Sequence, residues 1–264
     1  MRKFIAVAGN IGVGKSTLVD LLCNRMGWQA FFEPVAENPY LADFYANMSS
    51  WSFHSQIFFL THRLRIQQQI LRFEGSVIQD RSIYEDAEIF AHNLFLQGHM
   101  NRRDYETYRT LYLTITGFIP APDLVIYLRA STGTLVKRIS RRDRDYERTI
   151  STDYLEQINK LYEDWIGNFS ICPVLTVPAD DLDFVAHPRH LDLILSKVQE
   201  KLTGKETMSE LLKIALQAEK DSIAFYVGIK GLVPSRSGKD KVEKIIVEEM
   251  SHVSTLGAKL QALK

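Results

Sequence analysis

The chain has 264 residues, enough for one large domain or for one domain with a small appendage. Lys+Arg and Asp+Glu balance at 32 each, so net charge indicates neither a nucleic-acid nor a membrane partner, and any basic cluster has to be read locally. The two cysteines, Cys23 and Cys172, have neither metal-site nor disulfide-framework spacing, which leaves small core residues as their reading.

Met1-Arg2-Lys3 leads directly into a short apolar run, too short and wrongly flanked for a signal peptide. No apolar run approaches the length of a membrane span, so the expected location is the cytoplasm. Phe4–Ala8 reads as a buried first strand. It runs into Gly9-Asn10-Ile11-Gly12-Val13-Gly14-Lys15-Ser16, a match to G-x-x-x-x-G-K-[ST] placed before the helical stretch Thr17–Leu22. Glycines let the backbone wrap phosphates with its N–H groups inward, and the helix N-terminus adds partial positive charge. Gly9, Asn10, Gly12, Gly14, Lys15, Ser16 and Thr17 are therefore the expected nucleotide contacts. Lys15 should reach the β- and γ-phosphates of a nucleoside triphosphate, and Ser16 should ligate Mg²⁺. A regulatory GTPase would need Asn-Lys-x-Asp. The Asn159-Lys160-Leu161-Tyr162 segment lacks the aspartate and lies in a helical pattern, which disfavours that class.

Further strands are expected at a run ending in Glu33, at Val77–Gln79, at Leu124–Leu128 and at Val174–Val177, separated by helix-length segments. That alternation predicts an α/β fold with a doubly wound parallel sheet. Arginines crowd positions 138–148. After Gly204 the strand signals stop. Two helical periods, Thr207–Gly231 and Lys239–Leu263, flank an expected turn at Pro234/Gly238. The expected division is a kinase domain over residues 1–204 and a helical hairpin over 205–264.

The motifs Phe31-Phe32-Glu33-Pro34-Val35, Asn38-Pro39-Tyr40, Trp51-Ser52-Phe53-His54-Ser55-Gln56 and Asp80-Arg81-Ser82-Ile83-Tyr84-Glu85-Asp86 follow the phosphate loop in order. Together they resemble the deoxyribonucleoside kinases, in particular the bacterial deoxyadenosine/deoxyguanosine branch, over residues 1 to about 200. The resemblance implies that Glu33 takes the proton from the acceptor 5′-hydroxyl and that Arg81 orients the 5′-oxygen and the incoming phosphoryl group. It implies that Asp80 holds Mg²⁺ directly or through water, although eukaryotic relatives often carry glutamate there. It places Gln56 on the base edge, Phe90 against the base, and Tyr45 with Glu147 on the sugar 3′-hydroxyl. Asp86 matches a base-contacting position, and its neighbour Ala87 stands where some pyrimidine-preferring relatives carry arginine, which suggests a purine. Arg138, Arg142 and Arg144 match a lid that closes over the phosphates. The interleaved Asp143, Asp145 and Glu147 weaken the competing reading as a nucleic-acid patch. An adenine loop would fall near residues 178–184. ATP and Mg²⁺ are the implied cofactors.

Kinases of this kind usually end near Gly204, so the hairpin is a departure. Leu212, Leu216, Glu219, Ile223 and Tyr226 share one face of its first helix, and Ile245, Ile246, Glu249, His252 and Val253 share one face of the second. Glu249-Met250-Ser251-His252 is the Glu-x-x-His unit of di-iron carboxylate bundles, and with Glu219 the segment resembles half of a rubrerythrin/ferritin-like domain. A full iron site would need a second chain, so a homodimer or higher homo-oligomer is expected. A metal-free dimerising hairpin is the other reading of the same residues. Two alternatives for the whole chain stay open on sequence: a nucleoside monophosphate kinase, and an iron-binding redox or storage protein with a nucleotide-binding regulatory domain.

Overall fold

In the computed structural model the described residues are 2–32, 37–142, 144, 150–203, 208–231, 233 and 236–261. They form two compact units, Met1–Val198 and Gln199–Lys264. The first is built on five parallel strands: β1 (Phe4–Gly9), β2 (Gln29–Phe31), β3 (Val77–Asp80), β4 (Leu124–Arg129) and β5 (Val174–Pro178), in the order β2-β3-β1-β4-β5. All six residues of β1 and all four of β3 are buried. Strands buried along their whole length are what a parallel sheet covered on both faces requires. Register brings Val7 opposite Asp80 and Gly9 opposite Leu128, so the phosphate loop leaves the sheet between the ends of β3 and β4. The strand order reverses about β1, and the crevice above such a switch point is where open α/β sheets bind ligands.

The helices of this unit are α1 (Lys15–Met26), α2 (Leu41–Ala46), α3 (Met48–Arg72), α4 (Ile83–Glu85), α5 (His92–Leu96), α6 (Arg102–Thr116), α7 (Thr132–Arg142), α8 (Thr152–Asn168) and α9 (Pro188–Thr203), whose last residues fall in the second unit. Between α4 and α5 the chain makes a π-helical turn, Asp86–Ala91. Helix α8 packs Tyr154, Ile158 and Tyr162 onto Ala6, Ala8, Val125 and Tyr127 of the sheet. A second core joins Leu60 of α3, Tyr84, Leu94 and Tyr108 of α6. Truncating such a core residue, Ile158→Ala for instance, costs about 2–5 kcal/mol. The buried face of α3 is unusual in carrying Ser52, Ser55, Gln56, Arg63 and Gln67. Polar groups are buried when they have partners to meet, and here Ser55 meets Asn38, Arg63 meets Asp86 and Gln67 meets Gln79.

The second unit contains α10 (Met208–Lys230) and α11 (Arg236–Gln261), packed against each other, with Lys230 paired to Glu243 at 2.8 Å and Val242 buried. The sequence reading put a turn at Gly238, but that glycine lies inside the first turn of α11. Glycine near a helix start has little intrahelical hydrogen bonding to disrupt, so its usual weight as a breaker is misleading there. No helix among the described residues is long and apolar enough to cross a membrane.

Candidate functional site

The chain between β1 and α1 turns tightly because its glycines adopt backbone angles closed to other residues. Gly14, at φ 106°, caps α1 from the left-handed region. Gly12, at φ 79°, lies so close to α7 that a Cβ would meet Ile139 Cγ1 at 2.6 Å. The Lys15 ammonium is folded back on the loop and donates to the carbonyls of Gly9 and Asn10 at 2.9 and 3.0 Å. Asn10 shapes the loop rather than presenting its side chain to a ligand. Its amide nitrogen donates to Leu155 O and Asn159 Oδ1 on α8, and its Oδ1 accepts from the Ile11 amide. Thr17 is exposed in the first turn of α1.

Ser16 Oγ donates to Asp80 Oδ2 at 2.5 Å. The two residues expected to hold Mg²⁺ therefore lie side by side at the ends of β3 and the phosphate loop. A hydroxyl and a carboxylate are hard oxygen donors, leaving further positions for phosphates and water, which is the set Mg²⁺ prefers. Arg81 follows at φ 66°, the one non-glycine residue in the left-handed region among those described. That conformation costs roughly 1 kcal/mol or more. It is held by the Arg81 amide donating to Val7 O at 2.9 Å. The guanidinium carbon lies 4.3 Å over the Phe90 ring, one Nη donates to Tyr162 Oη at 3.2 Å, and Glu85 lies 3.8 Å away.

Gln56 and Asp86 are buried, and Asp86 and Phe90 share the turn Asp86–Ala91. Asp86 is not a lone carboxylate. Arg63, two turns after Gln56 on the same face of α3, grips it with Nε to Oδ2 at 3.1 Å and Nη2 to Oδ1 at 3.3 Å. The remaining Nη1 donates to the Asp80 carbonyl at 3.1 Å. What the pocket offers is a guanidinium–carboxylate pair, and the Gln56 amide has no hydrogen-bond partner among the described residues. One face of Phe90 is occupied by Arg81. Both Asp86 and Phe90 lie in the π-helical turn, a feature frequent at functional sites. Tyr45 lines a cavity of about 220 Å³ together with Met48, Gln97, His99, Ile150, Ser151 and Tyr154.

The lid arginines divide. Arg138 donates to Val13 O at 2.6 Å and to Ala179 O at 2.8 Å, tying α7 to the phosphate loop and to the segment after β5. Arg142 and Arg144 are exposed. Glu33 and Glu147 lie outside the described residues. Glu85 and Tyr162 were missed on sequence. Glu85 is fully buried and accepts from the Gly9 amide, the Ser82 amide and the Ser82 hydroxyl; the bond from the Ser82 amide is one half of a capping box, whose other half runs from the Glu85 backbone N–H to the Ser82 side chain. Burial, with the charge of Glu85 beside it, holds the Tyr162 phenol well above its ordinary pKa.

In the second unit Glu219, Glu249 and His252 each place a ligand atom within 4.8 Å of the others. His252 Nδ1 lies 3.4 Å from Glu219 and 3.2 Å from Glu249, and Ser222 Oγ donates to Glu249 at 3.0 Å. A hydrogen bond shared by the two carboxyls raises the pKa of Glu219 and lowers that of Glu249. Oxygen and nitrogen donors without thiolate are a set that iron accepts.

A phosphate loop at the switch point of a parallel sheet, with a Ser–Asp pair and an arginine beside it, defines a P-loop kinase fold. The deoxynucleoside kinase family model matches residues 5–203. The chain is 40% identical over 196 residues to a deoxyadenosine/deoxycytidine kinase of Bacillus subtilis, covering 74% of this chain and 90% of that one. It is 36% identical over 205 residues to a deoxyguanosine kinase of the same organism, covering 75% and 96%. A solved deoxyadenosine kinase from M. mycoides with bound dATP superposes with a TM-score of 0.67 at 34% identity, covering 75% of this chain and 100% of that one. The chain belongs to the deoxynucleoside kinase family and is a kinase enzyme.

Proposed function

We propose that the chain transfers the γ-phosphoryl group of ATP to the 5′-hydroxyl of a purine deoxynucleoside, in nucleotide salvage. The observation that carries this reading is the buried Arg63–Asp86 pair, hydrogen-bonded to the Asp80 carbonyl next to Arg81. A base held by such polar groups puts its sugar toward the phosphate loop. The small side chain of Ala87, in place of a bulkier one, favours a two-ring base. Relatives named deoxyadenosine and deoxyguanosine kinases support the purine, and the deoxycytidine in one relative's name makes that nucleoside the expected second acceptor.

In this reading the loop amides and Lys15 hold the β- and γ-phosphates, and Arg142 and Arg144 close over them. Ser16 and Asp80 hold Mg²⁺, which supplies charge neutralisation on the phosphoryl oxygens when bound. Arg81 orients the 5′-oxygen, Glu33 accepts its proton, and Tyr45 with Glu147 fixes the 3′-hydroxyl. Little covalent work falls to the protein, because phosphoryl transfer depends on positioning and charge. A monophosphate acceptor would require further cations in the pocket, and Arg63 is already paired with Asp86.

The C-terminal hairpin is assigned an iron site made by Glu219, Glu249 and His252. One copy supplies two carboxylates and one imidazole, and a second copy of the chain would complete a pair of metals, making the protein a homo-oligomer. Phosphorylation of the four deoxynucleosides, with metal content measured on the same batch, tests both assignments. Thymidine or deoxycytidine as the best acceptor would sink the purine reading, and absence of iron after expression with iron would sink the other.

A further inference from the structure

We propose that Tyr162 is a positioning residue that relays occupancy of the phosphate loop to Arg81. The proposal rests on the reading of Arg81 as the group that orients the 5′-oxygen. A phenol has one hydrogen to give. The Tyr162 hydroxyl nevertheless has two acceptors in reach, Gly9 O at 2.8 Å and Glu85 Oε1 at 2.6 Å. Gly9 O also accepts from Lys15 at 2.9 Å. On the other side, Glu85 Oε1 lies 3.8 Å from Arg81 Nη1, which donates to the Tyr162 oxygen. Lys15, Gly9, Tyr162, Glu85 and Arg81 thus form one buried line from the phosphate loop to the catalytic arginine.

While Lys15 serves the Gly9 carbonyl, the Tyr162 hydrogen goes to the nearer, charged acceptor, Glu85. A triphosphate in the loop gives the Lys15 ammonium an anionic acceptor. As the ammonium turns from Gly9, the hydroxyl hydrogen turns toward that carbonyl, and the Glu85 oxygen is left for the Arg81 guanidinium. No bond to hydrogen is broken; only the direction of donation changes. Arg81 Nη1, already 3.8 Å from Glu85, is then drawn into a closer ion pair when nucleotide is present.

The test is Tyr162→Phe in the full chain. The ring and its stack on Tyr127, at 5.6 Å and 18°, are kept while the hydroxyl goes. Loss of positioning predicts kcat lower by roughly 10- to 100-fold, with KM for ATP and for the deoxynucleoside little changed. Tyr127→Phe, which removes a hydroxyl bonded to Glu163 at 3.0 Å on the same helix, is the control and should keep parental kcat. Parental kcat in Tyr162→Phe overturns the relay. So does a fall in kcat matched by Tyr127→Phe, or one accompanied by equal rises in both KM values. Arg81→Ala separates the two readings. If it turns over normally, the role of Arg81 is wrong; if it is inactive while Tyr162→Phe is normal, only the relay is wrong.

Discussion

Removing the guanidinium of Arg63 should destabilise the kinase unit far more than removing any exposed charge. The Arg63 side chain is 1% exposed and that of Asp86 is 3% exposed. Arg63→Met keeps most of the volume but leaves a buried carboxylate without its two-point partner and the Asp80 carbonyl without that donor. Breaking a buried pair from one side costs about 3–5 kcal/mol, because the remaining charge stays desolvated. A domain of this size is stable by only about 5–15 kcal/mol. At about 2–4 °C per kcal/mol for such a domain, the melting point should fall by about 6–20 °C. Neutralising the orphan in Arg63→Met, Asp86→Asn should recover about 1–3 kcal/mol, the scale of coupling between contacting residues. Trp28, Trp51 and Trp165 are the three tryptophans of the chain and all precede the second unit, so tryptophan fluorescence follows the kinase unit selectively. A single variant melting within about 2 °C of the parent would refute the reasoning. So would a double variant whose loss equals the sum of the single losses.

The sheet and the phosphate loop were legible because their signals are local: apolar strands, glycines at fixed offsets, and a helix immediately after. Gly12, Gly14, Lys15 and Ser16 need no distant partner to be recognised. Arg63 was not read, because its significance depends on Asp86, which lies on another element after an intervening strand. The available signal was its spacing of two helical turns from Gln56. Glu85 could have been read as the end of a Ser-x-x-Glu capping box, but its bond to the Gly9 amide is set by topology. Tyr162 was read only as part of a failed guanine motif. The π-helical turn at Asp86–Ala91 escapes any regular 3.6-residue pattern, since one widened turn changes which residues share a face. In the hairpin, by contrast, the regular spacing of Glu219, Glu249 and His252 carried enough information to place three side chains together across two helices.

Glu33→Gln should still bind nucleoside but lose about 10²-fold or more in turnover, the scale of a positioned general base; near-normal single-turnover rates would remove Glu33 from the mechanism. Ser16→Ala should raise the Mg²⁺ concentration needed for half-maximal rate and leave deoxynucleoside binding unchanged, as read by titration of Mg²⁺ at fixed ATP. The hairpin gives the most exposed prediction. A His252 ring held between two carboxyl groups, with Ser222 fixing Glu249, already brings the proposed ligands together. Metal and protons compete for the same carboxylates and imidazole, so loading should weaken as pH falls, and the hydrogen bond to Glu249 that raises the pKa of Glu219 adds to that dependence. Full chain expressed with iron should carry about one ion per chain if two copies share a pair of metals. Glu249→Ala, His252→Ala should carry almost none and keep parental kinase rates, since the phosphate loop and base pocket use neither residue. Elemental analysis at several pH values and the kinase assay, run on one preparation, separate the outcomes. Unchanged metal content in the double variant would reduce the hairpin to an assembly device.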